Sequence, residues 1–167
     1  YTVMQQLKGN KPYLWEGIYN GGEDTGPSYE IPGEALDDPA FAALMEEATK
    51  YIGWPYVWGG SSPSTSFDCS GFVSYVLTNS GLYNTGRLGA QGLYNISTPV
   101  SNPQPGDLVF FTGTYDTPGV SHVGIYVGED GDGSPVMLHC GDPIQYSKLD
   151  TSYWQSHFYA YGRLNYN

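Results

Sequence analysis

The order of elements predicts an α+β fold, with helices first and an antiparallel sheet second. Two helical segments with one apolar face each occupy the first half of the chain after residue 37. After Pro105-Gly106 the hydrophobic period changes to that of short strands rich in Val, Ile, Phe and Tyr, separated by turn clusters. Composition agrees: 23 Gly, 12 Pro and 16 Tyr in 167 residues describe a turn-rich domain and not a helical bundle.

Asp38-Pro39 opens the first helix, with Asp38 as N-cap and Pro39 at the first helical position. Phe41, Leu44, Met45, Ala48 and Ile52 form its buried face, and Gly53 ends it. The aromatic segment Trp54-Pro55-Tyr56-Val57-Trp58-Gly59-Gly60 follows, then a Ser/Thr/Pro loop over residues 61–66. That loop feeds a second helix beginning at Cys69, whose apolar face carries Phe72, Val73, Val76 and Leu77 and whose stop signal is Gly81. Residues 83–106 read as loop, with a short helix over 87–94. Strands are predicted over 107–111, 122–127, 136–139 and 158–164, with turns over 114–119, 128–135 and 140–143.

The formal net charge of −11, from 6 Lys+Arg and 17 Asp+Glu, excludes nucleic acid and other polyanions as partners and disfavours anionic membrane surfaces. No apolar run approaches the roughly 18 residues of a membrane span. Two cysteines, Cys69 and Cys140, are not a disulfide framework, and with three His they do not suggest a structural zinc site. Residues 1–36 form an acidic lead-in or linker with Gly-rich and Pro-Gly turns. Its Tyr13, Leu14, Trp15, Ile18 and Tyr19 are apolar enough to pack in part on a domain spanning 37–167. A start at Tyr1 without Met is expected of a processed or partial chain, with room for an upstream domain.

The chemistry centres on Phe67-Asp68-Cys69-Ser70-Gly71-Phe72-Val73. A thiol at a helix N-terminus sits near unpaired N–H groups and the positive dipole end, both of which favour the nucleophilic thiolate. The competing reading is a small buried Cys that packs helix on sheet. A cysteine nucleophile needs a base and a group that orients the base. His122 begins a strand in which His122, Gly124 and Tyr126 face away from Val123, Ile125 and Val127. His139 ends the next strand, so a hairpin brings the two imidazoles together. His157 lacks such a partner and reads as a surface or structural histidine.

Four blocks in order carry a resemblance: Tyr56-Val57-Trp58-Gly59-Gly60, Phe67-Asp68-Cys69-Ser70-Gly71-Phe72-Val73, Pro105-Gly106-Asp107-Leu108-Val109-Phe110-Phe111 and Ser121-His122-Val123-Gly124-Ile125-Tyr126-Val127-Gly128. From about residue 40 to its end the chain resembles the NlpC/P60 family of cell-wall cysteine peptidases, which have a papain-like fold. The resemblance implies a triad of Cys69 (nucleophile), His122 (base, then acid) and His139 (orienting group). It implies an oxyanion site from the Cys69 N–H and the Tyr56 hydroxyl, and a substrate pocket from Asp68, Ser70 and Ser121. Asp68 would pair with the free N-terminal L-Ala ammonium of a peptidoglycan stem peptide, the scissile bond being γ-D-glutamyl to diamino acid. From the residues alone, Asp68 is equally a helix N-cap and Tyr56 a core aromatic. No metal or organic cofactor is implied, and a wall-facing or secreted bacterial location is expected. Cys140, next to His139, is expected to be a free, packed thiol, the alternative being an oxidative pair with Cys69. Competing functions are a CHAP-like amidase cutting N-acetylmuramic acid from L-alanine, a non-catalytic wall-binding module, and lipid acyl transfer; the absence of a basic amphipathic helix argues against the last.

Overall fold

The structure, a computed structural model, describes residues 38–114, 119–130, 133–141 and 143–164. The expected lead-in over 1–36 lies outside the described residues. Helix α1 (Pro39–Ala48) starts as its sequence dictates, with the Asp38 side chain accepting from Ala40 N and Pro39 in the first turn. It stops earlier than Gly53: a 3-10 turn, Thr49–Tyr51, follows directly, and the Thr49 hydroxyl bonds back to Met45 O at 2.7 Å. Ile52 therefore lies past the helix and is half-buried at the core margin. Gly53, at φ +94°, makes the turn that leads to the aromatic segment.

A two-stranded hairpin, β1 (Ser61–Ser62) with β2 (Ser66–Phe67), lies inside the predicted loop. Helix α2 (Cys69–Asn79) follows at once and buries Phe72, Val73, Val76 and Leu77; Gly81, at φ +83°, ends it as predicted. Helix α3 (Ala90–Ile96) begins three residues later than expected, after Gly89 as N-cap. Arg87 is left on the preceding loop.

Six strands form one antiparallel sheet: β3 (Thr98–Val100), β4 (Leu108–Thr112), β5 (Val120–Glu129), β6 (Pro135–Cys140), β7 (Ile144–Lys148) and β8 (Phe158–Arg163). Their order is β3-β8-β4-β5-β6-β7. Helix α4 (Ser152–His157) sits between β7 and β8, with the Thr151 side chain capping Trp154 N. The elements absent from the sequence prediction are β1, β2, β3, β7 and α4.

Strand alternation divides the apolar residues into two layers. Leu108, Phe110, Val123, Ile125, Val127, Leu138 and Cys140 face α1 and α2 in the main core. Val109, Phe111, Tyr126, Met137 and Leu149 form a smaller cluster on the opposite face, covered by Trp154 and Tyr161. The division of β5 predicted from alternation is the one observed. Among the described residues no helix is long and apolar enough to cross a membrane.

Candidate active site

Cys69 is the first residue of α2, where its N–H has no intrahelical acceptor. Asp68 is the N-cap, and its carboxylate accepts Gly71 N at 2.7 Å. The approach of α2 to the preceding loop is close enough to require glycine. A Cβ at Gly71 would collide with the Gly60 carbonyl oxygen, and one at Gly60 would stand 2.5 Å from Ser66 O. Asp68 N also donates to Gly60 O at 2.9 Å, fastening loop and helix start together.

The sulfur reaches the backbone of β5 beside His122. Its thiol donates to Ser121 O at 3.8 Å, and it accepts from the Val123 backbone N–H. A helix on the inner face thereby delivers its first side chain to the edge of β5 that also carries His122 outward.

His122 and His139 meet as the hairpin requires, Nε2 to Nδ1 at 2.9 Å. They are 2% and 1% exposed. His139 Nε2 continues to Ser147 Oγ at 2.8 Å. Trp154 covers both rings: it stacks on His122 at 5.4 Å and 24° between planes, and meets His139 edge-on at 5.2 Å. Burial holds the His122 imidazole down at about 3, and burial, with the repulsion a second proton would meet beside His122, holds His139 well below its ordinary value. Both rings rest neutral.

The expected thiolate is not the resting form of this site. Burial pushes the Cys69 thiol up to about 12, and the Asp68 charge adds to the rise. The Val123 and Ser70 N–H groups and the Arg87 charge pull the other way but are outweighed. Desolvation beats the helix terminus here because Cys69 is only 5% exposed.

The predicted substrate residues are heavily engaged. Asp68 Oδ2 accepts from Gly59 N at 3.1 Å and pairs with Arg87 Nη2 at 2.9 Å. Its Oδ1 accepts Gly71 N and, at 3.4 Å, the Ser70 hydroxyl. Arg87 Nη1 reaches Ser70 Oγ at 3.0 Å. Four donors fill the roughly four lone-pair sites of a carboxylate. The Ser121 hydroxyl holds the Thr114 turn, bonding Thr114 N at 3.0 Å and Thr114 Oγ1 at 2.6 Å. Tyr56 is half-buried against the main core, its backbone bridging Phe67 beside the start of α2. Cys140 is fully buried in the main core, with its thiol on Phe67 O at 3.2 Å, and neither cysteine is in a disulfide. Adjacent residues of a strand face opposite ways, which separates Cys140 from His139. His157 bonds Thr112 O at 2.8 Å, a structural contact.

Sequence patterning does not single out Arg87, Ser147 or Trp154. Arg87 had a signal, being one of 6 cations in a chain of net charge −11 and close downstream of Asp68.

Comparison with known proteins identifies the family. The NlpC/P60 family description matches residues 53–163. The bifunctional muramidase/DL-endopeptidase CwlT of Bacillus subtilis is 42% identical over 127 residues, covering 74% of this chain and 36% of that protein. The gamma-DL-glutamyl hydrolase of the same organism is 38% identical over 149 residues, covering 87% and 33%. The chain thus spans about a third of the length of these two curated relatives. A crystal structure of an NLP/P60-family protein from Staphylococcus aureus superposes with a TM-score of 0.70 at 32% identity, over 99% of this chain and 60% of that one. The NlpC/p60 domain of the peptidoglycan hydrolase SagA gives 0.54 at 31%, over 74% and 98%. The matched span contains Cys69, His122 and His139, and the chain belongs to the NlpC/P60 family, with its papain-like cysteine-peptidase fold.

Proposed function

We propose that residues 37–167 form a wall-facing, extracytoplasmic bacterial cysteine peptidase. It cleaves the γ-D-glutamyl–diamino acid bond of peptidoglycan stem peptides. The observation that carries this is the convergence of Cys69, His122 and His139 at one edge of β5, within the span matched by the family. Two relatives carry names that specify DL-endopeptidase or gamma-DL-glutamyl hydrolase activity, which supports the choice of bond. A net charge of −11 favours a short stem peptide over a polyanionic γ-glutamyl polymer.

In this reading Cys69 Sγ attacks the γ-carbonyl carbon. Because thiol and imidazole rest neutral, the proton passes to His122 as the S–C bond forms and not beforehand. With Nε2 directed at His139, the accepting atom is His122 Nδ1. The Cys69 N–H and the Tyr56 hydroxyl stabilise the oxyanion. His122 then protonates the departing amine, leaving an L-Ala-γ-D-Glu thioester. Water, deprotonated by the same imidazole, releases the dipeptide. The L-Ala ammonium is taken by Asp68 with Ser70, and the half-exposed Arg87 yields its place on Oδ2. Ser121 shapes the pocket wall through its carbonyl and the Thr114 turn.

The test is mass spectrometry of a free tetrapeptide, L-Ala-γ-D-Glu-diamino acid-D-Ala, with wild type and Cys69→Ala. Release of L-Ala-D-Glu by wild type alone supports the reading. An intact tetrapeptide, with cleavage of a muropeptide at the sugar–alanine bond, would replace it by the amidase. Wall binding unaffected by Cys69→Ala, with no cleavage of either substrate, would replace it by a binding module.

A further inference from the structure

The His122–His139 contact does not end the polar chain. His139 Nε2 bonds Ser147 Oγ at 2.8 Å, and Ser147 is buried on β7, two residues from Gln145, which pairs His139 in register. Gln145 is fully buried, and its Oε1 is the one buried side-chain polar atom without a partner among the described residues. A Cβ on Gly141 would stand 3.0 Å from His139 Cε1, so the backbone closes over that edge of the ring. His139 is thus enclosed by neutral groups, with Ser147 as its outer hydrogen-bond partner.

Two proton arrangements fit these distances when both rings are neutral. In the first, His122 Nε2–H donates to His139 Nδ1, and His139 Nε2–H donates to Ser147 Oγ. His122 Nδ1 then carries a lone pair. In the second, every donor is reversed: Ser147 donates to His139 Nε2, His139 Nδ1–H donates to His122 Nε2, and His122 Nδ1 carries the hydrogen. Only the first can take a proton from Cys69. It is also the only one that survives protonation of His122, because an imidazolium needs an acceptor at His139 Nδ1.

We propose that Ser147 is a positioning residue of this site. Its hydroxyl accepts His139 Nε2–H and so holds both imidazoles in the tautomer that keeps the lone pair on His122 Nδ1. The inference rests on the reading of Cys69 and His122 as nucleophile and base. Without the hydroxyl, His139 Nε2–H is a buried donor lacking its acceptor, a rare and costly condition. The second arrangement, which leaves only an acceptor unpaired, then gains population. The loss of productive tautomer is expected to lower the rate roughly ten- to a hundredfold, the range of one unsatisfied buried group.

The experiment uses the whole chain labelled with 15N-histidine. Long-range 1H–15N spectra of the ligand-free protein read which ring nitrogen carries hydrogen. In parallel, the rate of iodoacetamide alkylation is followed on the peptide bearing Cys69, and turnover on the stem tetrapeptide. Wild type is expected to show Nε2–H on both His122 and His139. Ser147→Ala should move His139 toward Nδ1–H and slow Cys69 alkylation. It should also lower kcat ten- to a hundredfold with KM within about twofold. Ser147→Thr, which keeps a hydroxyl, should restore all three. Nδ1–H on His139 in wild type would overturn the proposal, and so would unchanged tautomer and alkylation in Ser147→Ala. If no stem peptide is cleaved but tautomer and alkylation respond as described, Ser147 keeps its role and the substrate assignment alone fails.

Discussion

Lowering the pH from 7 to 5 should destabilise this domain through its two buried imidazoles. In the folded chain His122 sits at about 3 and takes no proton at pH 5, and His139 is held well below its ordinary value. In the unfolded chain each has the ordinary value of about 6.5 and is almost fully protonated at pH 5. The unfolded state binds more protons, so stability rises with pH across this window and is lost on acidification. The loss levels off only below the folded-state values. With 6.5 for the unfolded chain, His122 contributes about 2 kcal/mol between pH 7 and pH 5, and His139 adds a loss of the same sign. That is a large part of the roughly 5–15 kcal/mol by which domains of this size are stable. Urea unfolding at the two pH values measures it. The pH-dependent loss should be smaller in His139→Gln, because carboxylates common to both proteins cancel. A wild-type loss below about 1 kcal/mol, or an equal loss in His139→Gln, would refute the claim that both rings are held neutral by burial.

Other consequences follow from the same geometry. The acid limb of kcat/KM should lie well below 6.5, since the base stays neutral in the free enzyme, and Trp154→Ala should raise it by admitting water to both rings; a wild-type limb at 6.5 or above contradicts this. Asp68→Ala removes the cap of α2 and an acceptor for Gly59 and Arg87, and should cost about 1–2 kcal/mol in urea unfolding as well as activity. A loss of activity with unchanged stability would mean that Asp68 serves the substrate alone. Gly71→Ala forces a Cβ against the Gly60 carbonyl and should cost roughly 1–3 kcal/mol, seen as a lower thermal midpoint; a neutral result would mean that the loop moves freely away from α2.

Much of this architecture is legible in the sequence because local rules and the global fold agree. Asp38-Pro39 and Gly81 mark helix ends by mechanisms that do not depend on distant contacts. The alternation of His122, Gly124 and Tyr126 with Val123, Ile125 and Val127 fixes which side of β5 faces the core, and the hairpin does the rest. Strand β7 carries a strand pattern, Ile144-Gln145-Tyr146-Ser147-Lys148, that the sequence reading leaves unassigned; what the pattern cannot show is that its polar positions, Gln145 and Ser147, are buried. They are buried because Ser147 serves His139 and because the sheet face there is covered by α4 through Trp154. Helix α4 escapes because its six residues are too few for a periodic signal and none is fully buried. At Cys69 burial outweighs the pull of the helix terminus. The helix terminus is visible in sequence, but the burial that outweighs it comes from the packing of α2 on β5.

Identification of the acyl group carried by Cys69 tests the central claim most directly. Protein mixed with stem tetrapeptide is quenched in acid within milliseconds, and the Cys69-bearing peptide is weighed and fragmented. The account predicts a thioester of L-Ala-γ-D-Glu on Cys69, absent from Cys69→Ala. Turnover without any adduct on Cys69, or an adduct derived from the sugar side of a muropeptide, would contradict it.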